Sequence, residues 1–160
     1  MVMEDNIQNI LLTGTSGFLG GHIKSHFYAQ SGRWRIFVIA NRKEFASFEK
    51  KFLNQQFDIV IHSGFSIDFQ PYNDKDPSKN IENTRRVLKF AEARGASYAV
   101  FLSAAGTLGV SKNNQVRSEN HFGKTDSEYT DYLNTQYIQD KIACQKIIDD
   151  LSFPTTTLYL

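Results

Sequence analysis

Short apolar runs alternate along this chain with amphipathic stretches. The runs Ile7–Thr13, Arg35–Ala40, Asp58–His62, Tyr98–Ser103 and Thr155–Leu160 read as strands. Between them, apolar residues recur at three- and four-residue spacing. That spacing predicts helices at Phe18–Gln30, Lys43–Asn54, Ser78–Ala93 and Asn134–Leu151. In the second of these, Phe45, Phe48 and Phe52 form one stripe, the core side of a helix rather than a binding box. Mostly apolar strands separated by helices predict an α/β domain with a parallel sheet covered on both faces. Right-handed crossovers make that sheet doubly wound, with about five strands and a ligand crevice at their carboxyl ends. Two long irregular stretches, Ser63–Pro77 and Ala104–Leu133, leave from those ends. Loops of that length inside a compact domain usually carry function.

Composition narrows the picture. A chain of 160 residues is one domain, residues 1–160, large enough to bury a core. Its 41% hydrophobic and 22% charged content is that of an ordinary globular protein, so disorder is not the expectation. The formal net charge is +1 with the signs interspersed, which gives no electrostatic case for nucleic acid or an anionic membrane as partner. Met1 to Ile10 lacks the apolar core of a signal peptide, and no apolar run reaches membrane-spanning length. The single cysteine, Cys144, excludes an internal disulfide and fits a reducing compartment, so the expected location is cytoplasmic.

The sharpest local signal is Asn9-Ile10-Leu11-Leu12-Thr13-Gly14-Thr15-Ser16-Gly17-Phe18-Leu19-Gly20. A strand-like run ends in glycines spaced three apart, and a helix follows directly. Gly14 permits the turn out of the strand, Gly17 lets a diphosphate approach bare backbone, and Gly20 lets the helix pack close to the sheet. Unpaired N–H groups at the helix start then face the phosphates. The plainer reading is a glycine-rich turn of another α/β protein.

With these residues in hand the chain resembles the extended branch of the short-chain dehydrogenase/reductase family, the nucleotide-sugar epimerases, dehydratases and reductases. Thr13-Gly14-Thr15-Ser16-Gly17-Phe18-Leu19-Gly20 is similar to that family's TGxxGFLG. Asp58-Ile59-Val60-Ile61-His62-Ser63-Gly64 resembles its D-V-V-I-H-x-A strand, and Asn80-Ile81-Glu82-Asn83-Thr84-Arg85-Arg86-Val87-Leu88 its N-V-x-G-T-x-N-L-L helix. Tyr98 to Gly106 is like F-V-Y-x-S-S-A-G, and Tyr137-Ile138-Gln139-Asp140-Lys141 is a YxxxK on a predicted helix. The resemblance implies a Rossmann-like domain binding a nicotinamide dinucleotide through Gly14, Ser16, Gly17, Phe18, Leu19 and Gly20. Backbone at Ser63 and Gly64, supported by Asn80, would wall the cofactor. Tyr137 becomes the acid/base, with Lys141 as its electrostatic partner and a ribose ligand; four apart on a helix, the two share one face. It also implies hydride transfer, a sugar-nucleotide substrate and a homodimer.

The chain departs from the family pattern in places that matter. Residue 104, where active members carry Ser or Thr, is Ala104. Ser103 lies beside it, and a regular strand would aim it to the opposite face; Thr107 and Ser111 are other hydroxyl sources. Asn41–Phe57 holds one helix and little else, so an edge strand looks lost. The chain ends inside the last strand, which reads as a truncated domain whose C-terminal substrate part is missing. The second strand ends Ala40-Asn41-Arg42-Lys43, with cations and no carboxylate at its tip. Arg42 therefore suits a 2′-phosphate with Asn41 as donor, favouring NADP over NAD.

The other candidates are weaker. His22 and His26 have helical spacing but no accompanying carboxylates, so with His121 they make no metal site. His62 either borders the cofactor or simply packs. Asp74, Lys75 and Asp76 read as a solvated turn. Two functions stand: an NAD(P)-dependent epimerase, dehydratase or reductase using Tyr-Lys chemistry, and a catalytically silent dinucleotide-binding module that regulates or binds a partner.

Overall fold

The computed structural model describes residues 7–30, 32–67, 70–72, 78–108, 122 and 134–160. Strands β1 (Gln8–Thr13), β2 (Trp34–Ile39), β3 (Ile59–His62), β4 (Tyr98–Ser103) and β5 (Thr155–Tyr159) form one sheet. Their order is β2-β1-β3-β4-β5 and every neighbouring pair is parallel. Helices α1 (Phe18–Tyr28), α2 (Phe48–Lys51), α3 (Lys79–Ala93) and α4 (Gln136–Asp149) connect them. The five-stranded, doubly wound α/β fold is thus the one the apolar pattern predicts.

The helices divide unevenly between the faces. Only the step from β1 to β2 moves toward one edge of the sheet; every later step moves the other way. Right-handed crossovers therefore place α1 on one face and α2, α3 and α4 on the other. The packing follows suit. Ile10, Leu12, Ile61 and Leu102 pack with Ile23 and Phe27 of α1. The larger cluster joins Leu11, Val60 and Phe101 to Phe48, Val87, Leu88, Cys144 and Ile148.

The helix expected over Lys43–Asn54 is broken. A 3-10 turn at Glu44–Ala46 and the short α2 replace it, with Ser47 between them at φ −138°, ψ 4°. Side chains tie the first turn to the strand tip and compete with helix continuation: Asn41 Oδ1 accepts from the Lys43 N–H at 3.0 Å, and Glu44 Oε2 from the Ala40 N–H at 3.2 Å. Phe45, Phe48 and Phe52 are nevertheless all buried in the core, as their spacing requires.

Strand β2 is the sheet edge, so the expected loss of an outer strand holds among the described residues. The Gly14 N–H donates to Ile39 O at 2.8 Å, which turns Val38 O and the Ala40 N–H outward. Lys51 Nζ donates to Val38 O at 3.4 Å, Glu44 accepts from Ala40, and the two side chains pair at 3.3 Å. A neighbouring parallel strand would supply one donor and one acceptor at those places. The ion pair stands in for one of its residues.

Candidate functional site

The crevice begins at the turn between β1 and α1. Gly14 has φ +76°, a conformation that L side chains rarely adopt, and a Cβ there would lie 2.5 Å from Gly64 Cα. A Cβ on Gly20 would lie 2.3 Å from Gly14 O, so only glycine lets α1 sit this close to the strand end. Gly17 is the N-cap of α1 and has no side chain to cap it. The N–H groups of Phe18, Leu19 and Gly20 form the first turn, where no intrahelical acceptor exists. Ser16 is placed beside this turn, its Oγ donating to Ala40 O at 2.8 Å.

Two cavities meet over this turn. The first, about 530 Å³, runs from Gly14, Ser16 and Gly17 to Asn41, Arg42 and Lys43, with Asn80 and Asn83 on its far wall. Both cations at the tip of β2 thus border the same space as the glycines. Sequence reasoning found no carboxylate at this tip, but Glu44 places one there; its bonds to the Ala40 N–H and to Lys51 turn it back along the strand.

The wall between β1 and β3 is built by Thr13. Its Oγ1 accepts from the backbone N–H groups of Ser63 (3.1 Å) and Gly64 (2.8 Å), while Ser63 Oγ donates to Thr13 O at 2.5 Å. With both Oγ1 lone pairs filled, the Thr13 hydroxyl proton is directed to His62 Nδ1 at 2.9 Å. His62 then carries its proton on Nε2 and donates it to Thr84 Oγ1 at 2.8 Å, which also receives the Cys144 thiol at 3.3 Å. Burial, reinforced by the charge on Lys141, pushes His62 down to about 3, so the ring is neutral. Burial likewise pushes the Cys144 thiol up to about 12. His62 is therefore a packing and hydrogen-bonding residue that joins β1, β3 and α3.

Asn80 stands behind the loop that follows. Its Oδ1 accepts from the Ser66 N–H and its Nδ2 donates to Ser66 O, both at 2.9 Å. The same Nδ2 donates to Asp140 Oδ2 at 2.8 Å, and that buried carboxylate also accepts from Ser78 and Gln136. Asp140 thus links the start of α3 and the loop to α4, one residue before Lys141.

The second cavity, about 360 Å³, extends from Gly14, Gly17 and Phe18–Gly20 to Ser103, Tyr137 and Lys141. Lys141 is only 3% exposed. Its Nζ donates to Leu102 O at 2.5 Å and lies 3.8 Å from the Phe65 ring centroid. Burial pushes its pKa down to about 8. The ammonium sits 5.8 Å from the Tyr137 ring centroid. Ser103 is buried, and its Oγ has no hydrogen-bond partner among the described residues.

Ser103 is not turned away from the site as a regular strand would require. Strand β4 ends at Ser103 and a 3-10 turn (Ala105–Leu108) follows, so alternation does not extend to residue 104. Ser103 borders the cavity with Tyr137 and Lys141, while Ala104 packs against Tyr137 and Ile138. Thr107 is no hydroxyl source: it is fully buried and donates to Ala104 O at 2.7 Å. Ser111 lies outside the described residues.

The comparisons agree with this architecture. The NAD dependent epimerase/dehydratase family matches the chain over residues 10–152. The chain belongs to this family. Among solved structures it is similar to a short-chain dehydrogenase/reductase superfamily protein from Agrobacterium tumefaciens with bound NAD (TM-score 0.70, 20% identity, 94% of this chain, 48% of that one). The Bordetella bronchiseptica enzyme WbmG in complex with NAD and UDP gives TM-score 0.70 at 18% identity, covering 96% of this chain and 53% of that one. UDP-glucose 4-epimerase from Bifidobacterium longum, in complex with NAD+ and UDP, gives 0.69 at 17% identity, covering 94% and 52%. At these identities the likeness shows the fold alone. The chain spans about half the length of each of these structures. No curated protein sequence matches it.

Within the family frame, the residues that sequence reasoning missed are Phe65, Glu44 and the Thr13–His62–Thr84–Cys144 chain. Thr13 and Thr84 stood inside the quoted motifs, so a signal existed; Phe65 and Glu44 gave none. His22 and His26 are exposed on α1, and the described residues contain no cluster of His, Cys, Asp or Glu able to hold a metal. His121 and Asp74–Asp76 lie outside the described residues. No helix of the described residues is long and apolar enough to cross a membrane.

Proposed function

We propose that the chain binds a nicotinamide dinucleotide along the paired cavities, with NADP(H) favoured over NAD(H), and supports acid/base chemistry at an alcohol carbon. The observation that carries this reading is the backbone cradle at Gly14 and Gly20, which no Cβ could enter and which opens onto both cavities. The uncapped start of α1 supplies N–H donors and a partial positive charge for a diphosphate. Arg42 and Lys43, bordering the first cavity, suit a 2′-phosphate, with the Asn41 amide as a further donor.

In the second cavity Tyr137 exchanges the proton of the reacting hydroxyl, and Lys141 lowers the cost of the phenolate. Ser103, whose Oγ is unpartnered, donates a hydrogen bond to the substrate oxygen. When bound, the nicotinamide supplies or accepts the hydride. The substrate class is a nucleotide-activated sugar or a related hydroxy or keto compound. Family membership supports this, as do neighbours described with NAD and UDP. The same reading places the protein in the cytoplasm and expects a homodimer.

A second reading, a catalytically silent dinucleotide-binding module, is favoured by Ala104 and by the covering of Lys141. Calorimetric titration with NADPH and with NADH, followed by turnover assays on sugar nucleotides, separates the two. Gly17→Asp is the control. A Cβ at Gly17 meets Gly14 O at a tight 3.3 Å while Asp is a good N-cap. The variant therefore serves as control once a cooperative melt shows it folded, its carboxylate repelling the diphosphate. Saturable NADPH binding lost in Gly17→Asp supports the site. Absence of binding in the folded native chain refutes it.

A further inference from the structure

Among the described residues, Phe65 is the one residue beyond Gly14, Gly17 and Ser63 that borders both cavities. Its ring covers the Lys141 ammonium at 3.8 Å and meets Tyr137 edge-on, with centroids 6.0 Å apart. The Phe101 ring lies 4.8 Å from the same Nζ, its centroid 6.4 Å from that of Phe65, and the Leu102 carbonyl accepts from Nζ at 2.5 Å. A ligand laid across both cavities passes over this ring. Lys141 borders the second cavity but is only 3% exposed, so a ligand there meets little of this side chain while the ring and its neighbours stay where they are.

We propose that Phe65 is a positioning residue acting through Lys141: its ring holds the ammonium on the Leu102 carbonyl and swings aside before a ligand bridging the cavities can reach it. The moving part is the side chain. Backbone on both sides of Phe65 is pinned, at Gly64 by Thr13 and at Ser66 by the two bonds from Asn80. Rotation about χ1 between staggered wells is the freedom that remains. Cavity space on either side of the ring gives it somewhere to go. The depressed Lys141 pKa, about 8 through burial, is the electrostatic trace of the same enclosure. As to which ligand displaces the ring, the proposal rests on the dinucleotide reading; the enclosure of Lys141 does not.

The test compares the full native chain with Phe65→Ala and Phe65→Tyr by two readouts. The first is the rate of reductive methylation of Lys141, followed by peptide mass spectrometry and normalised to the exposed Lys146. The second is NADPH affinity by calorimetry. If the ring is open about 10% of the time, its removal raises both by about tenfold, because the covered population no longer lowers the apparent rate or affinity. Phe65→Tyr keeps the ring and restores native values. Unchanged Lys141 methylation in Phe65→Ala overturns the proposal whatever the ligand. Faster methylation with weaker NADPH binding also overturns it, since the ring is then a ligand contact. Faster methylation with no NADPH binding in any variant upholds the enclosure and refutes the dinucleotide reading instead. Should Phe65→Ala lose its cooperative melt, Phe65→Leu takes its place with the same criteria.

Discussion

Adjacent glycines at the start of α1 should respond to the same substitution with opposite signs. A Cβ on Gly20 would stand 2.3 Å from Gly14 O, 2.6 Å from Gly14 C and 2.9 Å from Ser63 Oγ. The first two are backbone atoms of a turn held by the Gly14 N–H to Ile39 O bond, so they cannot rotate away. Relief requires α1 to move from the sheet by roughly an ångström, an overpacking cost at the upper end of about 1–3 kcal/mol. Replacing glycine in a helix returns up to about 1 kcal/mol. The net for Gly20→Ala is a loss of about 2 kcal/mol, or a fall in Tm of about 4–8 °C for a domain of this size. At Gly21 the nearest atom to an added Cβ is Thr15 O at 3.5 Å, an ordinary contact. Gly21→Ala therefore keeps the propensity gain and raises Tm by about 1–4 °C. Thermal melts of the three proteins side by side, followed by circular dichroism at pH 7, decide it. A Gly20→Ala protein as stable as the native chain would sink the argument that close helix–strand approach fixes this glycine.

Two further outcomes follow from the site. His62 has a folded pKa of about 3 against an ordinary value of 6.5, so between those values the unfolded chain holds the extra proton. Stability is therefore present above pH 6.5 and falls as pH drops through the window, by up to about 1.4 kcal/mol per pH unit. Urea unfolding at pH 7 and pH 5 should show that fall, and His62→Gln should flatten it; an equal fall in the variant would assign it to other groups. Arg42→Ala should weaken NADPH by about tenfold, the worth of one charge-assisted contact at an exposed site, and leave NADH within about twofold. Equal losses for both would place Arg42 outside 2′-phosphate recognition.

Much of this protein was written in local pattern. Strand positions came from short apolar runs, and their alternation with helices was enough to give the parallel, doubly wound sheet, because a parallel neighbour can be reached only by a crossover. The glycines of the first turn were legible for a similar reason: residue type there is dictated by backbone, as the positive φ of Gly14 and the approach of Gly20 to its carbonyl show. Tyr137, Lys141 and Ser103 were named through the family resemblance, and the fold brings them to one cavity.

What the tertiary structure decided was where side chains from distant segments meet. Nothing local in Phe65 says that it covers a lysine 76 positions later. Nor does Glu44 announce that it caps the outer edge of β2 with Lys51. The break at Ser47 went the same way, since the phenylalanine stripe stayed intact while ties to the strand tip interrupted the backbone. The sequence by itself determined the periodicities, and with them the elements and the cradle, because those depend on neighbours within a few residues. The exposure of Lys141, the neutral state of His62 and the orphaned hydroxyl of Ser103 depend on desolvation and on partners chosen by packing. Those quantities exist only once the chain has closed around them.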